Sequence, residues 1–209
     1  MDFISARKNM VDSQVRTNDV TDTDLQRALL TVARERFCAP SRAFAAYAEA
    51  EVEVAPGRWL MKARDIGKLL QASNPRAGEK ALAIAAPYAA AVLSEMGLMV
   101  TAQEADARAS AVVEQALRDY GVELVTQDFR QPAGEGYDLI VCEAAVAEAP
   151  DAWLAALKPG GRLAVVLRDG PVGKGRLFVK TSTVGASREL FDATPPVLAG
   201  FERAPTFQF

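Results

Sequence analysis

From Lys80 onward, short apolar runs alternate with stretches of helical periodicity, and this alternation limits the fold more than any other feature of the chain. "KALAIA" is followed by "YAAAVLSEM", and "LMVTAQE" by "ADARASAVVEQALRDYG". "VELVTQ" then leads to "YDLIVCEA". The last of these runs is apolar through its centre, as strands covered on both faces are. Strands joined by helices through short links form a parallel, doubly wound α/β sheet. "APDAWLAALKPGG" reads as a further helix with a Pro-Gly-Gly exit. "RLAVVLRD" and "GRLFVKTSTV" are joined around "GPVGKG" with no helix between them, which predicts an antiparallel C-terminal edge. That glycine-rich link lacks the Lys-Ser/Thr ending of a phosphate loop and reads as a hairpin.

The first part of the chain is expected to be mainly helical. Ala6–Arg16 sets Met10 and Val11 against Gln14 and Val15 at helical spacing. A second helix is expected after Thr21 or Asp22 as N-cap, with Leu25, Leu29, Val32 and Ala33 on its apolar face. Pro40 stops that run and starts a short helix through Tyr47. "AEVEVA" alternates like a short strand, and a helix is expected from about Arg64 to Ala72. "SNPRAGE" is a turn and the boundary between an N-terminal helical subdomain, residues 1–75, and a Rossmann-like domain, residues 76–209.

Composition narrows the chemistry. The 209 residues carry a net charge of -3, which gives no electrostatic reason to expect nucleic acid as a partner. No apolar run approaches the roughly 20 residues that span a bilayer. The opening "MDFISARKNMVDSQVR" has no apolar core of a signal peptide, so the cytoplasm is the expected location. The chain has no histidine, which removes serine–histidine and cysteine–histidine catalysis and imidazole ligands together. Cys38 and Cys142 lie far apart in sequence and read as two buried thiols; no metal site is expected.

"ALAIAAPYAAAVLSEMG", Ala81–Gly97, has the outline of a strand, a tight turn and a helix, the unit that opens a nucleotide-type cofactor site. Such turns are built from glycine, and none occurs here before Gly97. Two other features fall at the carboxyl edge of the expected sheet. Glu104 ends the second strand about 20 residues past the turn, the offset at which an acid accepts hydrogen bonds from ribose hydroxyls; capping the end of its own strand is the other reading. Gln127 and Asp128, in "TQDF" after the third strand, stand where a polar side chain reaches an adenine. Asp128 reads equally as a plain loop residue. Asp138 and Glu143, on the "YDLIVCEA" strand, give no reason to be paired as acid and base.

In these features the chain resembles the protein-L-isoaspartate O-methyltransferase family along nearly its whole length. "MVDSQVR…DVTDTDLQRALLTVARERFCAP" is similar to the family's helical entry. "AYAEAEVEV" matches the next segment, and "AAAVLSEMG" the first helix of the cofactor domain. "YDLIVCEAAVAEAPDAWLAALKPGGRLAVVL" matches its fourth strand, the loop after it and the following strand. "PPVLAGFERAPTFQF" is like the ending of a bacterial subgroup. The resemblance implies a Rossmann-type methyltransferase sheet that binds S-adenosylmethionine and methylates isoaspartyl carboxylates. That reaction needs no histidine, because a carboxylate is already ionised near pH 7.

The chain departs from the family where the resemblance would place its cofactor. The family's loop has the form acidic-x-Gly-x-Gly-x-Gly-Tyr. Working back from Tyr88, this chain reads Ala85-Ala86-Pro87, about two residues short, and Ala83 stands for the acid. An alanine in a glycine's left-handed backbone costs about 1–2 kcal/mol, its β-carbon takes ligand space, and Pro87 removes an N–H. Between Gly57 and Leu70 there is also no hydroxyl residue or proline, which active members carry near the acceptor carboxylate. Lys62 and Arg64 there could attract a carboxylate, or be solvated charges at a helix start.

Two readings follow. In the first, S-adenosylmethionine binding and catalysis are lost, Ala85, Ala86, Tyr88, Glu104, Gln127 and Asp128 are vestigial cofactor positions, and no catalytic residue remains. The chain then serves as a protein-binding module or an accessory subunit of a larger assembly, with a protein partner contacted through the N-terminal helices and Phe201, Phe207 and Phe209. Docking of those aromatics onto the chain's own sheet explains them equally well. In the second, the chain is a working S-adenosylmethionine-dependent protein carboxyl methyltransferase whose pocket rests on Glu104, Gln127–Asp128 and N–H groups near Tyr88.

Overall fold

The computed structural model describes residues 2–181 and 186–203. Two short strands, β1 (Val52–Ala55) and β2 (Arg58–Leu60), make a separate antiparallel hairpin. The main sheet has seven strands: β3 (Lys80–Ile84), β4 (Met99–Glu104), β5 (Glu123–Thr126), β6 (Tyr137–Val146), β7 (Leu157–Leu167), β8 (Gly173–Val179) and β9 (Ala186–Ala193). Their order is β5-β4-β3-β6-β7-β8-β9, parallel through β7 and antiparallel from there to the edge. The order reverses between β3 and β6, the switch point beside which doubly wound sheets bind ligands. The expected α/β sheet with an antiparallel C-terminal edge is therefore present, and the second half of "GPVGKG", Gly173–Gly175, opens β8.

Six α-helices accompany the strands: α1 (Phe3–Met10), α2 (Thr23–Thr31), α3 (Ala63–Ser73), α4 (Pro87–Glu95), α5 (Ala107–Asp119) and α6 (Asp151–Ala156). Four of these starts have a local cause. Asp2, Asp22 and Asp106 are N-caps whose carboxylates accept the orphan N–H groups of the first turn. Pro87 sits at the first position of α4, where its missing N–H costs nothing. Gly121, with φ +69°, follows the end of α5. The helix expected over Ala6–Arg16 is instead α1 followed by a π-turn, Val11–Val15, and a 3₁₀ turn, Arg16–Asn18. The widened turn aims both Val11 and Val15 into the core, where neither is exposed. Pro40–Ala45 is likewise 3₁₀ rather than α.

One apolar cluster runs from Met10, Val15, Leu25 and Phe37 through α3 and α4 to the near face of the sheet. A second, around Trp153, Tyr137, Leu163 and Ile140, fills the far face. α4 is buried along almost its whole length and all its alanines are covered, because it lies between the sheet and the N-terminal helices. The last described segment runs across the end of β6: Ala145 donates to Pro196 O at 3.0 Å, Leu198 donates to Ala145 O at 2.8 Å, and Ala147 donates to Phe201 O at 2.8 Å. Phe201 stacks near Trp153, with ring centroids 5.4 Å apart, so it docks onto its own sheet. Phe207 and Phe209 lie outside the described residues. Cys38 and Cys142 are both buried and unbridged, and burial pushes the Cys142 thiol up to about 12.

Asp22→Ala removes the side chain that accepts from Asp24 and Leu25 at 2.9 and 3.0 Å. We expect it to lower unfolding free energy by about 1 kcal/mol in urea, with an unchanged m-value.

Candidate functional site

The register of the sheet fixes what surrounds the turn after β3. Ile84 pairs with Gln103 on β4 and with Cys142 on β6. The next residues along, Ala85, Glu104 and Glu143, therefore stand level at the carboxyl edge, with a carboxylate on each side of the turn. Both carboxylates are buried, at 2% and 1% exposure. A charge so placed must find donors or neutralise.

Glu104 finds them in Arg58. The guanidinium Nε donates to Oε1 and Oε2 at 3.1 Å each, and Nη2 to Oε2 at 2.8 Å. Nη2 also donates to the carbonyl of Ala85 at 2.9 Å. Glu104 Oε1 accepts further from the N–H groups of Ala105 and Asp106, at 2.9 and 3.3 Å, so it caps the turn that follows its own strand. Arg58 is 6% exposed and lies 5.7 Å from the Phe129 ring centroid. A forked, charge-assisted pair of this kind is among the stronger polar contacts a protein makes.

Glu143 has a different environment. Its Oε2 accepts from the N–H of Ala89, in the first turn of α4, at 3.4 Å. Its Oε1 lies 3.7 Å from Arg34 Nη1, and both side chains are fully covered. Arg34 donates through Nε to Ala46 O at 2.8 Å and through Nη2 to Met61 O, and its guanidinium lies 4.7 Å from the Tyr88 ring centroid. Burial outweighs the attraction of Arg34 and pushes the Glu143 carboxyl up to about 7.

Between these carboxylates the turn keeps a glycine-like path without glycine. Ala85 has φ +51°, in the left-handed region. Ala85, Ala86, Pro87 and Tyr88 are all buried. Two cavities lie beside this turn. The inner one is about 10 Å³, near the size of one water, and touches Arg58, Met61, Glu143, Ala144, Pro196 and Leu198. The outer one is an open groove of about 650 Å³, bordered by Arg58, Asp106, Arg108, Asp128, Phe129 and Arg130.

Of the six positions anticipated from sequence, only Asp128 borders the groove. It accepts from the N–H of Arg130 at 2.8 Å, a loop-forming contact. Gln127 turns to Gln131 O at 2.6 Å. Ala85, Ala86 and Tyr88 border neither cavity, and Glu104 lies beneath Arg58. Lys62 and Arg64 stand at the start of α3, partly exposed, with carboxylate neighbours: Lys62 lies 3.7 Å from Glu51, and Arg64 lies 2.8 Å from Asp65 and 3.4 Å from Glu49. Asp138 accepts from the N–H of Lys80 at 3.0 Å, at the opposite end of β6 from Glu143. Among the described residues no group of His, Cys, Asp or Glu could hold a metal ion.

This geometry meets a consistent set of likenesses. The family model for protein-L-isoaspartate(D-aspartate) O-methyltransferase matches residues 5–183. The chain belongs to the protein-L-isoaspartate O-methyltransferase family. A Methylorubrum extorquens protein named protein-L-isoaspartate O-methyltransferase is 30% identical over 193 residues, covering 90% of this chain and 83% of that protein. One of the same name from Rhodopseudomonas palustris is 32% identical over 171 residues, 78% of this chain and 76% of that protein. A solved Plasmodium falciparum member in complex with S-adenosyl-L-homocysteine superposes at a TM-score of 0.77 with 14% identity, over 95% of this chain and 98% of that one. Another protein-L-isoaspartate O-methyltransferase structure superposes at 0.78 with 18% identity, over 94% of this chain and 67% of that one. At these identities the superpositions establish the Rossmann-type methyltransferase fold.

The turn after β3 passes through a left-handed alanine, and the acid after β4 pairs with an arginine. The sequence did not single out Arg58 or Arg34, and it set Glu143 only beside Asp138. Glu143 had a signal, a lone carboxylate within an apolar strand. Arg58 had a weaker one, sharing a strand face with Leu60 at period two.

Glu143 generates a pH prediction. Its folded carboxyl titrates near 7, against an ordinary value of 4.5, so the folded state holds a proton that the unfolded state releases earlier. The resulting stability is complete below the unfolded value and is lost as pH rises through 7. We expect the melting temperature to fall from pH 5 to pH 8. Glu143→Gln should match the wild type at pH 5 and exceed it at pH 8. Equal pH slopes in both proteins would show that Glu143 does not titrate there.

Proposed function

We propose that this family member does not hold S-adenosylmethionine and acts as a protein-binding module or accessory subunit rather than as a methyltransferase. One observation carries the reading: Glu104, the acid after β4, is already forked by Arg58 of the chain's own β1–β2 hairpin. A nucleoside sugar would compete with Arg58 for Glu104, and a ligand carboxylate would compete with Glu143 for the Ala89 N–H. Breaking a buried ion pair costs about 3–5 kcal/mol. At about 1.4 kcal/mol per decade, that weakens a ligand by roughly two to four decades. The residues present therefore do not fit the cofactor, and no methyl-transfer step is derived through it.

What remains outward is surface. Ile4 and Phe44 are exposed at 78% and 63% in the N-terminal part, the part that this reading assigns to a partner. Among the described residues no helix is long and apolar enough to cross a membrane.

The second reading is an active S-adenosylmethionine-dependent carboxyl methyltransferase acting on isoaspartyl residues. It is favoured by membership of the family over residues 5–183 and by the open groove beside Asp128. Titration calorimetry on the folded protein separates the two. We expect no heat with S-adenosylmethionine or S-adenosylhomocysteine, and no label transferred from methyl-labelled S-adenosylmethionine to an isoaspartyl peptide. Micromolar binding, or label transfer, would overturn the first reading. An accessory role further predicts co-purification in a defined complex from the source cells; recovery as a free monomer alone counts against it.

A further inference from the structure

Three buried side-chain atoms around Arg34 have no hydrogen-bond partner among the described residues. They are Arg34 Nη1, Glu143 Oε1 at 3.7 Å from it, and the hydroxyl of Tyr88, whose ring centroid lies 4.7 Å from the guanidinium. A separation of 3.7 Å is outside hydrogen-bond range. The other oxygen of Glu143 has one long bond, from the Ala89 N–H at 3.4 Å. An ionised Glu143 is therefore short of donors where it stands, and water is what would supply them.

The charged groups that face Glu143 do not change this. Arg34, from the 3₁₀ turn Arg34–Phe37, and Arg58, from β2, attract the ionised form, but burial outweighs both. Burial also keeps Tyr88 on α4 and Cys142 on β6 protonated near neutral pH. Glu104 on β4 is bound by Arg58, and Asp65 on α3 by Arg64. The turn Ala85–Pro87 and the segment Pro195–Leu198 bring no titratable group.

Glu143 is covered, so water reaches it when a wall moves. The inner space beside it is walled by Gly57–Met61 and by Pro195–Leu198, which are fastened differently. Pro196 and Leu198 are tied to Ala145 of β6 by backbone hydrogen bonds of 3.0 and 2.8 Å. The β1–β2 hairpin is a separate sheet, and among the described residues no backbone hydrogen bond joins it to the main one. Side chains hold it instead, Arg58 on Glu104 and on Ala85 O, and Arg34 on Met61 O. Its tip is open, since a β-carbon at Gly57 would meet no atom within 4 Å.

We propose that the β1–β2 hairpin is a lid held down by the proton on Glu143. While the carboxyl is neutral it needs few donors, and the lid stays closed over the end of β6. Ionisation releases the hairpin, and water then hydrates the carboxylate and Arg34 together. Closed, the carboxyl titrates at about 7; open to water, it returns to its ordinary 4.5. Opening therefore releases a proton between these values, and the open population grows about tenfold per pH unit across that window before it levels off. The lid works the same way whether or not the chain binds S-adenosylmethionine.

Residue-resolved hydrogen exchange on the full chain tests the lid. Protection factors, corrected for the intrinsic exchange rate, are followed from pH 5 to pH 8 for the hairpin and for Val165 and Val166 in β7, which report opening of the core. Hairpin amides are expected to be less protected than those of β7. Their protection should fall about tenfold per pH unit between pH 5.5 and pH 6.5 and level off above about pH 7. In Glu143→Gln, which is neutral throughout, it should stay flat at the wild type's acid level. Three results overturn the lid: hairpin protection that ignores pH in the wild type, an equal slope in Glu143→Gln, or hairpin amides that open only together with β7. Glu143→Met serves as the neutral variant if Glu143→Gln does not fold, and if neither folds the wild-type profile decides alone.

Discussion

The turn after β3 is flanked by two buried carboxylates, and each stands beside an arginine of the N-terminal half. Glu104 draws the β1–β2 hairpin down through Arg58, and Glu143 draws the turn at Arg34 inward. Arg34 in turn holds the carbonyls of Ala46 and Met61. The cap and the sheet are thus joined by charge as well as by the apolar cluster they share. Buried pairs of this kind contribute little net stability compared with apolar replacements, yet losing one partner is costly, so they fix geometry more than they add energy.

The turn itself separates two effects of losing glycine. Backbone conformation is the smaller one, since Ala85 still takes a left-handed angle, φ +51°, at a strain of about 1–2 kcal/mol. Space is the larger one. Ala85, Ala86 and Pro87 are all buried between the strand and α4 and border neither the inner space of about 10 Å³ nor the outer groove of about 650 Å³.

Much of the fold was legible because it rests on local periodicity. The runs "KALAIA", "LMVTAQE", "VELVTQ" and "YDLIVCEA" each became a strand of the parallel sheet, and Asp22 became the cap anticipated for α2. What escaped was short or non-local. β2 has three residues, too few to show a period, and β9, "ASRELFDA", is a mostly exposed edge strand whose charges obscure it. The π-turn at Val11–Val15 depends on both valines meeting the core, which no helical pattern encodes. The site divides in the same way. The missing glycines were visible in one stretch of sequence. The pairing of Arg58 with Glu104 joins residues 46 positions apart, and nothing in either neighbourhood announces the other.

The contacts at the carboxyl edge follow from the chemistry of the groups present. A carboxylate after β4 accepts paired donors whether they come from a sugar or from a guanidinium, and a helix N-terminus accepts a carboxylate whether it belongs to a ligand or to Glu143. When the donors come from the chain itself, the contact is permanent, intramolecular and free of the entropy lost on association. A site that satisfies itself in this way becomes framework. The fork of Arg58 on Glu104 is such a contact.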